Sequence, residues 1–242
     1  MAPLVDRNSA LFLDIDGTLL DLARTPEQVV VPSDLADTLA RLRAALDGAL
    51  AFVSGRSLAA IDGLFARSAA VGCHGAEVRG RDGTVKLLSA PMPQAVRSFF
   101  KDLVARHPGT ALEDKTYALA LHYRLAPEAK PALEEAMAQA AQLLAAQKVT
   151  VQNGKAVFDV KPRGIDKGVG VRALMSEAPF LGRVPVFGGD DTTDLDVFRI
   201  LPEFGGRGFS VGRSFDGVAY HFPSPRAVRE WLGGPAVQGL SA

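Results

Sequence analysis

Cysteine is nearly absent. One residue in 242, Cys73, excludes an internal disulfide, and nothing in the chain asks for an oxidising compartment. Net charge is absent too: 27 Lys and Arg stand against 27 Asp and Glu. That balance gives no bulk electrostatic case for nucleic acid or an acidic membrane surface. No apolar run approaches the roughly 20 residues of a membrane span. The N-terminus, Met-Ala-Pro-Leu-Val-Asp-Arg-Asn-Ser, lacks a basic stretch followed by an apolar one. No internal repeat is visible, and no low-complexity tract beyond alanine near residues 136–146. These absences leave a cytoplasmic enzyme or binding protein as the expectation, with no nucleic acid and no membrane among its partners. The length, with 48% hydrophobic and 22% charged residues, suits one large domain or two small ones around a sizeable core.

What the chain does have is an unusual strand end. The apolar run Ala10 to Leu13 drives straight into Asp14, with Asp16 two residues on and Gly17-Thr18 breaking the run. Two carboxylates at the mouth of a buried strand repel each other and resist burial, so a cation or a reaction is expected to compensate them.

The flanking pattern is that of a parallel sheet. Residues 19–31 read as loop, punctuated by Pro26 and Pro32. Ser33 is the expected N-cap of a helix carrying Leu35, Leu39, Leu42 and Leu46 and stopped by Gly48. A second apolar run, residues 49–53, breaks at Ser54-Gly55-Arg56. A helical pattern follows with Ile61, Leu64 and Phe65 on one face, then a third short strand over residues 69–73. Alternating strand and helix, with continuous rather than alternating apolar strands, predicts a parallel sheet covered on both faces.

The character then changes. Residues 77–88 read as a hairpin around Arg81-Asp82-Gly83, and Ser89 to Pro93 as a proline-rich joint. Residues 93–107 read as a helix, 110–114 and 116–123 as strands, and 127–147 as one long Ala-rich helix. A hairpin follows, over residues 149–152 and 156–160, across the two-residue turn signal Asn153-Gly154. This order predicts an antiparallel sheet with helices on one face, inserted between two parts of the first domain. The parallel pattern resumes with a helix over residues 165–177 carrying Lys167 in its first turn. A strand over 184–187 runs into Gly189-Asp190-Asp191-x-Thr193-Asp194 and a helix through Phe198. A short strand over 208–211 and a final helix over 225–232 precede a Gly-rich tail from Gly233. The expected organisation is an α/β chain: a Rossmann-like parallel-sheet core over residues 1–89 and 163–242, interrupted by an α+β cap domain over residues 90–162. Joints near Pro91–Pro93 and Pro162–Gly164 would be its hinges.

In an open parallel sheet, ligands bind outside the carboxyl ends of the strands. That rule brings Asp14, Asp16, Ser54, Lys167 and the acids at 190, 191 and 194 together. Carboxylate oxygens suit a hard cation, and Mg²⁺ takes one or two of them plus waters and phosphate oxygens. Ser54, Lys167 and the amides near Gly17 and Gly55 suit a phosphate. Together they describe Mg²⁺-assisted phosphoryl transfer, one carboxylate serving as nucleophile and another as acid and base. Taken singly the pieces are weaker. Alone, Ser54-Gly55-Arg56 reads as a cap and turn rather than a phosphate site, Lys167 as an ordinary solvated lysine, and Asp190-Asp191 as another N-cap. Glu113 and Lys115 share a strand face and read either as a sugar-ordering pair or as a surface ion pair.

The order Asp-x-Asp-Gly-Thr, Ser-Gly-Arg, Lys, Gly-Asp-Asp resembles the haloacid dehalogenase (HAD) superfamily. Further stretches are similar to its trehalose-6-phosphate phosphatase family: residues 72–77, Glu113-x-Lys115, residues 119–124, Gly154-Lys155, Lys161-Pro162-Arg163-Gly164 with Lys167-Gly168, and residues 189–194. The resemblance implies that Asp14 is the nucleophile and Asp16 the acid/base. Asp14, the Asp16 carbonyl and Asp190 would hold Mg²⁺, with Asp191 and Asp194 in support, while Ser54 and Lys167 hold the phosphoryl oxygens. It also implies substrate contacts from Gly55, Arg56, His74, Glu113, Lys115, His122, Arg124, Lys155, Asp159 and Lys161. The pattern departs from the family at Leu195 and at Asp159, where glutamate is usual. The implied substrate is the small-molecule sugar phosphate trehalose 6-phosphate, and a trehalose-6-phosphate synthase is a partner in the same pathway. Phosphatases of sucrose phosphate or mannosyl phosphoglycerate remain alternatives, as does a catalytically silent sugar-phosphate-binding partner of a synthase.

Overall fold

Strand β1 (Ser9–Leu13) is buried along its whole length, as its unbroken apolar sequence requires. In the computed structural model, which describes residues 2–23, 25 and 28–234, the chain runs on through α1 (Leu35–Ala45), β2 (Leu50–Val53), α2 (Leu58–Asp62), β3 (Ala70–Gly72), β4 (Glu77–Arg79) and β5 (Val85–Leu87). Next come α3 (Gln94–Arg106), β6 (Ala111–Asp114), β7 (Leu119–His122), α4 (Lys130–Gln139), α5 (Ala141–Ala146), β8 (Val149–Asn153) and β9 (Val157–Pro162). The chain closes with α6 (Lys167–Met175), β10 (Val184–Gly189), α7 (Leu195–Phe198), β11 (Arg207–Val211), β12 (Tyr220–Phe222) and α8 (Pro225–Gly233). The punctuation expected at Pro26 and the tail beyond Gly234 lie outside the described residues.

The strands form two sheets. The larger has the order β12-β11-β10-β1-β2-β3-β4-β5, the smaller β6-β7-β9-β8. The larger sheet is parallel from β12 to β3, and β4 and β5 extend it as an antiparallel edge. Helix α6 lies against β2, β3 and β4, while α1 and α8 pack on each other. The smaller sheet is antiparallel throughout. It has its own apolar cluster, in which Val96, Phe100 and Leu103 of α3 and Leu133 of α4 meet Leu119, Leu121, Phe158 and Val160. The larger sheet's cluster is built around Phe12, Phe52, Phe187 and Phe209. Among the described residues no helix is long and apolar enough to cross a membrane.

Several local expectations are corrected. The residues between Pro127 and Gln147 do not make one helix. The helix breaks at Ala140 (φ −84°, ψ 6°), between the buried anchors Met137 and Leu144, where tertiary packing overrides alanine's helix propensity. Asn153-Gly154 is not a two-residue turn: Asn153 still pairs with Phe158. The loop therefore includes Lys155 and Ala156, the latter at φ 62°, and it carries Lys155 towards the larger sheet. The first helix is capped from Asp34 rather than Ser33, with no side-chain hydrogen bond. Helix α2 ends at Asp62, so Leu64 and Phe65 pack from beyond it. Strand β12 has no counterpart in the sequence reading, because its three residues carry no alternation long enough to register.

The topology fixes the site. From β1 the chain steps one way to β2, and β10 lies on β1's other side. This is the switch point at which doubly wound sheets leave a crevice. The Asp14 N–H donates to Gly188 O at 3.0 Å, tying the ends of β1 and β10 together at the crevice.

Candidate active site

Asp14 follows the last residue of β1 and is 3% exposed. Its Oδ2 accepts from Thr18 Oγ1 at 2.9 Å and its Oδ1 from Lys167 Nζ at 2.8 Å. Lys167 is the first residue of α6, and its helix starts where it does because the Asp166 side chain accepts from the Val169 N–H at 2.9 Å. The same ammonium donates to Asp194 Oδ1 at 2.7 Å. Asp194 Oδ2 accepts from the N–H groups of Asp190 and Asp191 at 2.8 and 2.9 Å. Gly17 (φ +84°) closes the approach: a Cβ there would collide with the Asp190 carboxylate.

Lys167, the buried ammonium, thus faces an excess of buried carboxylates. Burial pushes Asp14 well above the usual carboxylate range, Lys167 opposes the rise, and Asp194 and Asp190 add to it. Asp190 is pushed up to about 6, by burial and then by Asp194, against Lys155 and Lys167. Burial would lower Lys167, but Asp14 and Asp194 outweigh it and hold it above its ordinary value. Both partners of the Asp14–Lys167 pair rise. The direction that follows from the charge count is a protonated Lys167 and a carboxylate group still short of positive charge.

Ligand atoms of Asp14, Asp190 and Asp194 lie within 4.8 Å of one another. Asp14 and Asp190 line the cavity, whereas Asp194, which accepts from Lys167 and from the Asp190 and Asp191 N–H groups, buttresses them from behind. An oxygen-only, charge-rich set fits a hard cation. The Asp16 carboxylate points elsewhere, to Arg56.

Ser54, at the end of β2, is buried, and its Oγ accepts from the Arg56 N–H at 3.1 Å. His74 packs against Gly55, where a Cβ would collide with the imidazole. Cys73 (φ 47°) and His74 (φ 54°) both sit in the left-handed region, a strain of about 1–3 kcal/mol each. Strain of this kind gathers where a side chain must be aimed. Across the cleft, Asp159 Oδ1 comes within 3.1 Å of His74 Nε2. The other ring nitrogen of the buried imidazole, Nδ1, has no hydrogen-bond partner. Burial lowers His74 despite Asp159. Burial would raise Asp159, but His74, Lys115 and Lys167 outweigh it and hold it well below the usual range.

These groups line a cavity of about 450 Å³ between the two sheets, within the size range of small-molecule sites. From the smaller sheet come Glu113, Lys115, His122, Arg124, Lys155 and Asp159. Glu113 Oε2 lies 3.1 Å from His122 Nε2 and 3.5 Å from Lys115 Nζ. Against burial, His122 and then Lys115 hold the Glu113 carboxyl below its ordinary value. Lys155 pairs with Asp190, and Arg124 donates to the carbonyls of Ala23 and Lys155. Asp191 also lines the cavity, but its carboxylate caps the turn at Thr192 and accepts from Arg213 at 3.1 Å.

Lys161 is not brought to the cavity. It is buried, and its Nζ lies 3.4 Å from Asp196 Oδ2 beside α7. Arg56 does line the cavity, but its guanidinium is turned onto Asp16. Thr18 is the polar group that sequence reading passed over: it sits four residues after Asp14 and holds the second carboxylate oxygen. The apolar wall of Leu22, Val29, Leu112, Leu125 and Val157 was also missed, since scattered apolar residues give no signal before the chain is folded.

The trehalose-phosphatase family profile matches residues 12–218. The chain is similar to the trehalose-6-phosphate phosphatase of Escherichia coli, at 37% identity over 95% of this chain and 87% of that protein. It is 42% identical to a probable trehalose-phosphate phosphatase of Sinorhizobium fredii over 85% of this chain and 78% of that one. Its fold is similar to the C-terminal domain of the C. albicans trehalose-6-phosphate phosphatase, with a TM-score of 0.82 and 24% identity over 96% of this chain and 93% of that one. The chain belongs to the trehalose-phosphatase family.

Proposed function

We propose that this chain hydrolyses trehalose 6-phosphate to trehalose and phosphate with Mg²⁺ at the Asp14–Asp190 cluster, through a phosphoryl group carried on Asp14. The observation that carries the reading is the buried Asp14–Lys167–Asp194 array on the floor of a cleft whose opposite wall is the smaller sheet. Asp14 is held by Lys167 and Thr18, so its carboxylate is oriented before substrate arrives. An Asp14 oxygen attacks phosphorus, and the leaving sugar oxygen takes a proton from Asp16. In the second half, water attacks the same phosphorus, Asp16 takes the water's proton, and the bond to Asp14 breaks.

Ser54 and Lys167 hold the phosphoryl oxygens throughout. Asp14, the Asp16 carbonyl and Asp190 would hold Mg²⁺, which supplies the positive charge that one lysine cannot. Residues 90–162 act as a cap domain. There Glu113, Lys115, His122 and Asp159 read sugar hydroxyls, joined from the core by His74. Lys155 and Arg124 tie the cap to the core. Cys73, a buried lone thiol, is compatible with action in the cytoplasm, where a trehalose-6-phosphate synthase would supply the substrate.

The test is phosphate release from a panel of sugar phosphates, with Mg²⁺ and with EDTA. Trehalose 6-phosphate should be the best substrate and EDTA should stop turnover. Faster release from sucrose phosphate or mannosyl phosphoglycerate would overturn the substrate reading, and full activity in EDTA would overturn the metal.

A further inference from the structure

The guanidinium of Arg56 grips Asp16 by both oxygens, Nε to Oδ2 at 2.6 Å and Nη2 to Oδ1 at 2.7 Å. The grip is itself anchored. The Arg56 N–H donates to Ser54 Oγ at 3.1 Å, and the Arg56 carbonyl accepts from the Cys73 N–H at 2.8 Å. The clamp therefore hangs from the same strand end as Ser54, and the Arg56 side chain is largely shielded, at 12% exposure. Nothing about a sugar-binding arginine requires both of its forward donors to be spent on the presumed proton carrier.

We propose that Arg56 is a positioning residue that acts through Asp16, aiming the protonated side chain at the leaving oxygen and capturing the carboxylate that forms as the proton departs. The proposal rests on the assignment of Asp14 as nucleophile and Asp16 as proton carrier, and adds a residue to that mechanism. A carboxylate offers two acceptor oxygens, whereas a carboxylic acid has turned one of them into a donor. Protonated Asp16 therefore keeps one Arg56 bond, enough to orient it, and gains the second as its proton leaves. In the first half-reaction an Asp14 oxygen bonds to phosphorus and the bond from phosphorus to the leaving oxygen breaks. The electron pair goes to that oxygen, which takes the Asp16 proton, and Arg56 closes on the new carboxylate. A charge-assisted bond that forms with the developing charge stabilises the transition state more than the ground state.

The test uses substrates without sugar, so that sugar contacts cannot intervene. For a monoester handled through a phosphoenzyme, kcat/KM reports the steps up to departure of the leaving group. Ethyl phosphate, a poor leaving group, needs the acid; para-nitrophenyl phosphate does not. Arg56→Ala should lower kcat/KM for ethyl phosphate about 100-fold, the scale of general acid catalysis, while para-nitrophenyl phosphate loses less than about threefold. Arg56→Lys, which restores one bond, should fall between. Asp16→Asn, run beside them, should show the same leaving-group selectivity.

Equal losses on both esters for either Arg56 variant would overturn the proposal in favour of a phosphate contact. Losses confined to trehalose 6-phosphate would overturn it in favour of a sugar contact. If Asp16→Asn itself showed no selectivity, the proton-carrier assignment would fall, and the proposal with it.

Discussion

The two sheets hold their site residues in different ways. At the ends of β1 and β10, Asp14, Lys167 and Asp194 are at most 3% exposed and are bonded to one another at 2.7–2.8 Å. On the smaller sheet, the side chains of Glu113 and Lys155 are 35% and 40% exposed. They reach the cavity from a short strand and a loop, and the contacts of Glu113 with His122 and Lys115, at 3.1 and 3.5 Å, are looser. The larger sheet fixes its groups against a buried core; the smaller one presents groups that a ligand can still rearrange. Chemistry needs the first arrangement and recognition tolerates the second.

The comparison can be broken at its rigid end first. Asp14→Asn should abolish turnover, by at least about a thousandfold on the scale of nucleophile removal, without lowering the melting temperature. Near-normal phosphate release would remove Asp14 from its role. Lys167→Ala leaves buried carboxylates facing one another and should cost about 3–5 kcal/mol in chemical denaturation; a loss below about 1 kcal/mol, the scale of an exposed pair, would show the array to be less buried than it looks.

Asp190 gives a pH signature in the metal-free chain. Its folded pKa lies above its ordinary value of 3.8, at about 6, so its ionised form is disfavoured by folding. The associated stability is fully present below pH 3.8 and is lost as pH rises through about 6. Metal-free Asp190→Asn should therefore be more stable than the parent at neutral pH, by up to about 3 kcal/mol at roughly 1.4 kcal/mol per unit, and the gap should close towards pH 4. Mg²⁺ should close it at neutral pH by stabilising the parent alone. A gap that ignores pH would contradict the origin assigned to the shift.

Smaller effects belong to the smaller sheet. Lys115→Ala should lower kcat/KM for trehalose 6-phosphate about tenfold, the scale of one charge-assisted hydrogen bond, and leave para-nitrophenyl phosphate nearly unchanged. Equal losses would argue that Lys115 serves the core. Arg124→Ala removes exposed bonds to the Ala23 and Lys155 carbonyls and should cost under about 1 kcal/mol in melting; a larger loss would mean that the tie is structural.

What could be read in advance divides along the same line. Asp14, Ser54, Lys167 and Asp190 were legible because each interrupts an apolar run or opens a helix, and the strand-end rule converts that position into a place. The partners were not legible. That Arg56 faces Asp16 and Lys161 faces Asp196 depends on rotamers and on how the smaller sheet seats, which no local spacing encodes. The break at Ala140 was hidden for the opposite reason: alanine favours a helix on both sides of it, and only packing decides where the helix yields.

The hydrogen bond between Lys167 and Asp14 spans 153 residues of chain, and the whole smaller sheet lies between them. On the ribosome, β1 emerges with its carboxylates long before the lysine that answers them. The strand cannot settle beside β10, whose Gly188 receives the Asp14 N–H, until the intervening segment has been made. The order of synthesis therefore leaves Asp14 without its lysine until residue 167 has been made, and pairing of β1 with β10 is a long-range event. The array of Asp14, Lys167 and Asp194 can close only after Asp194 has been made, although its first residue is among the first to be translated.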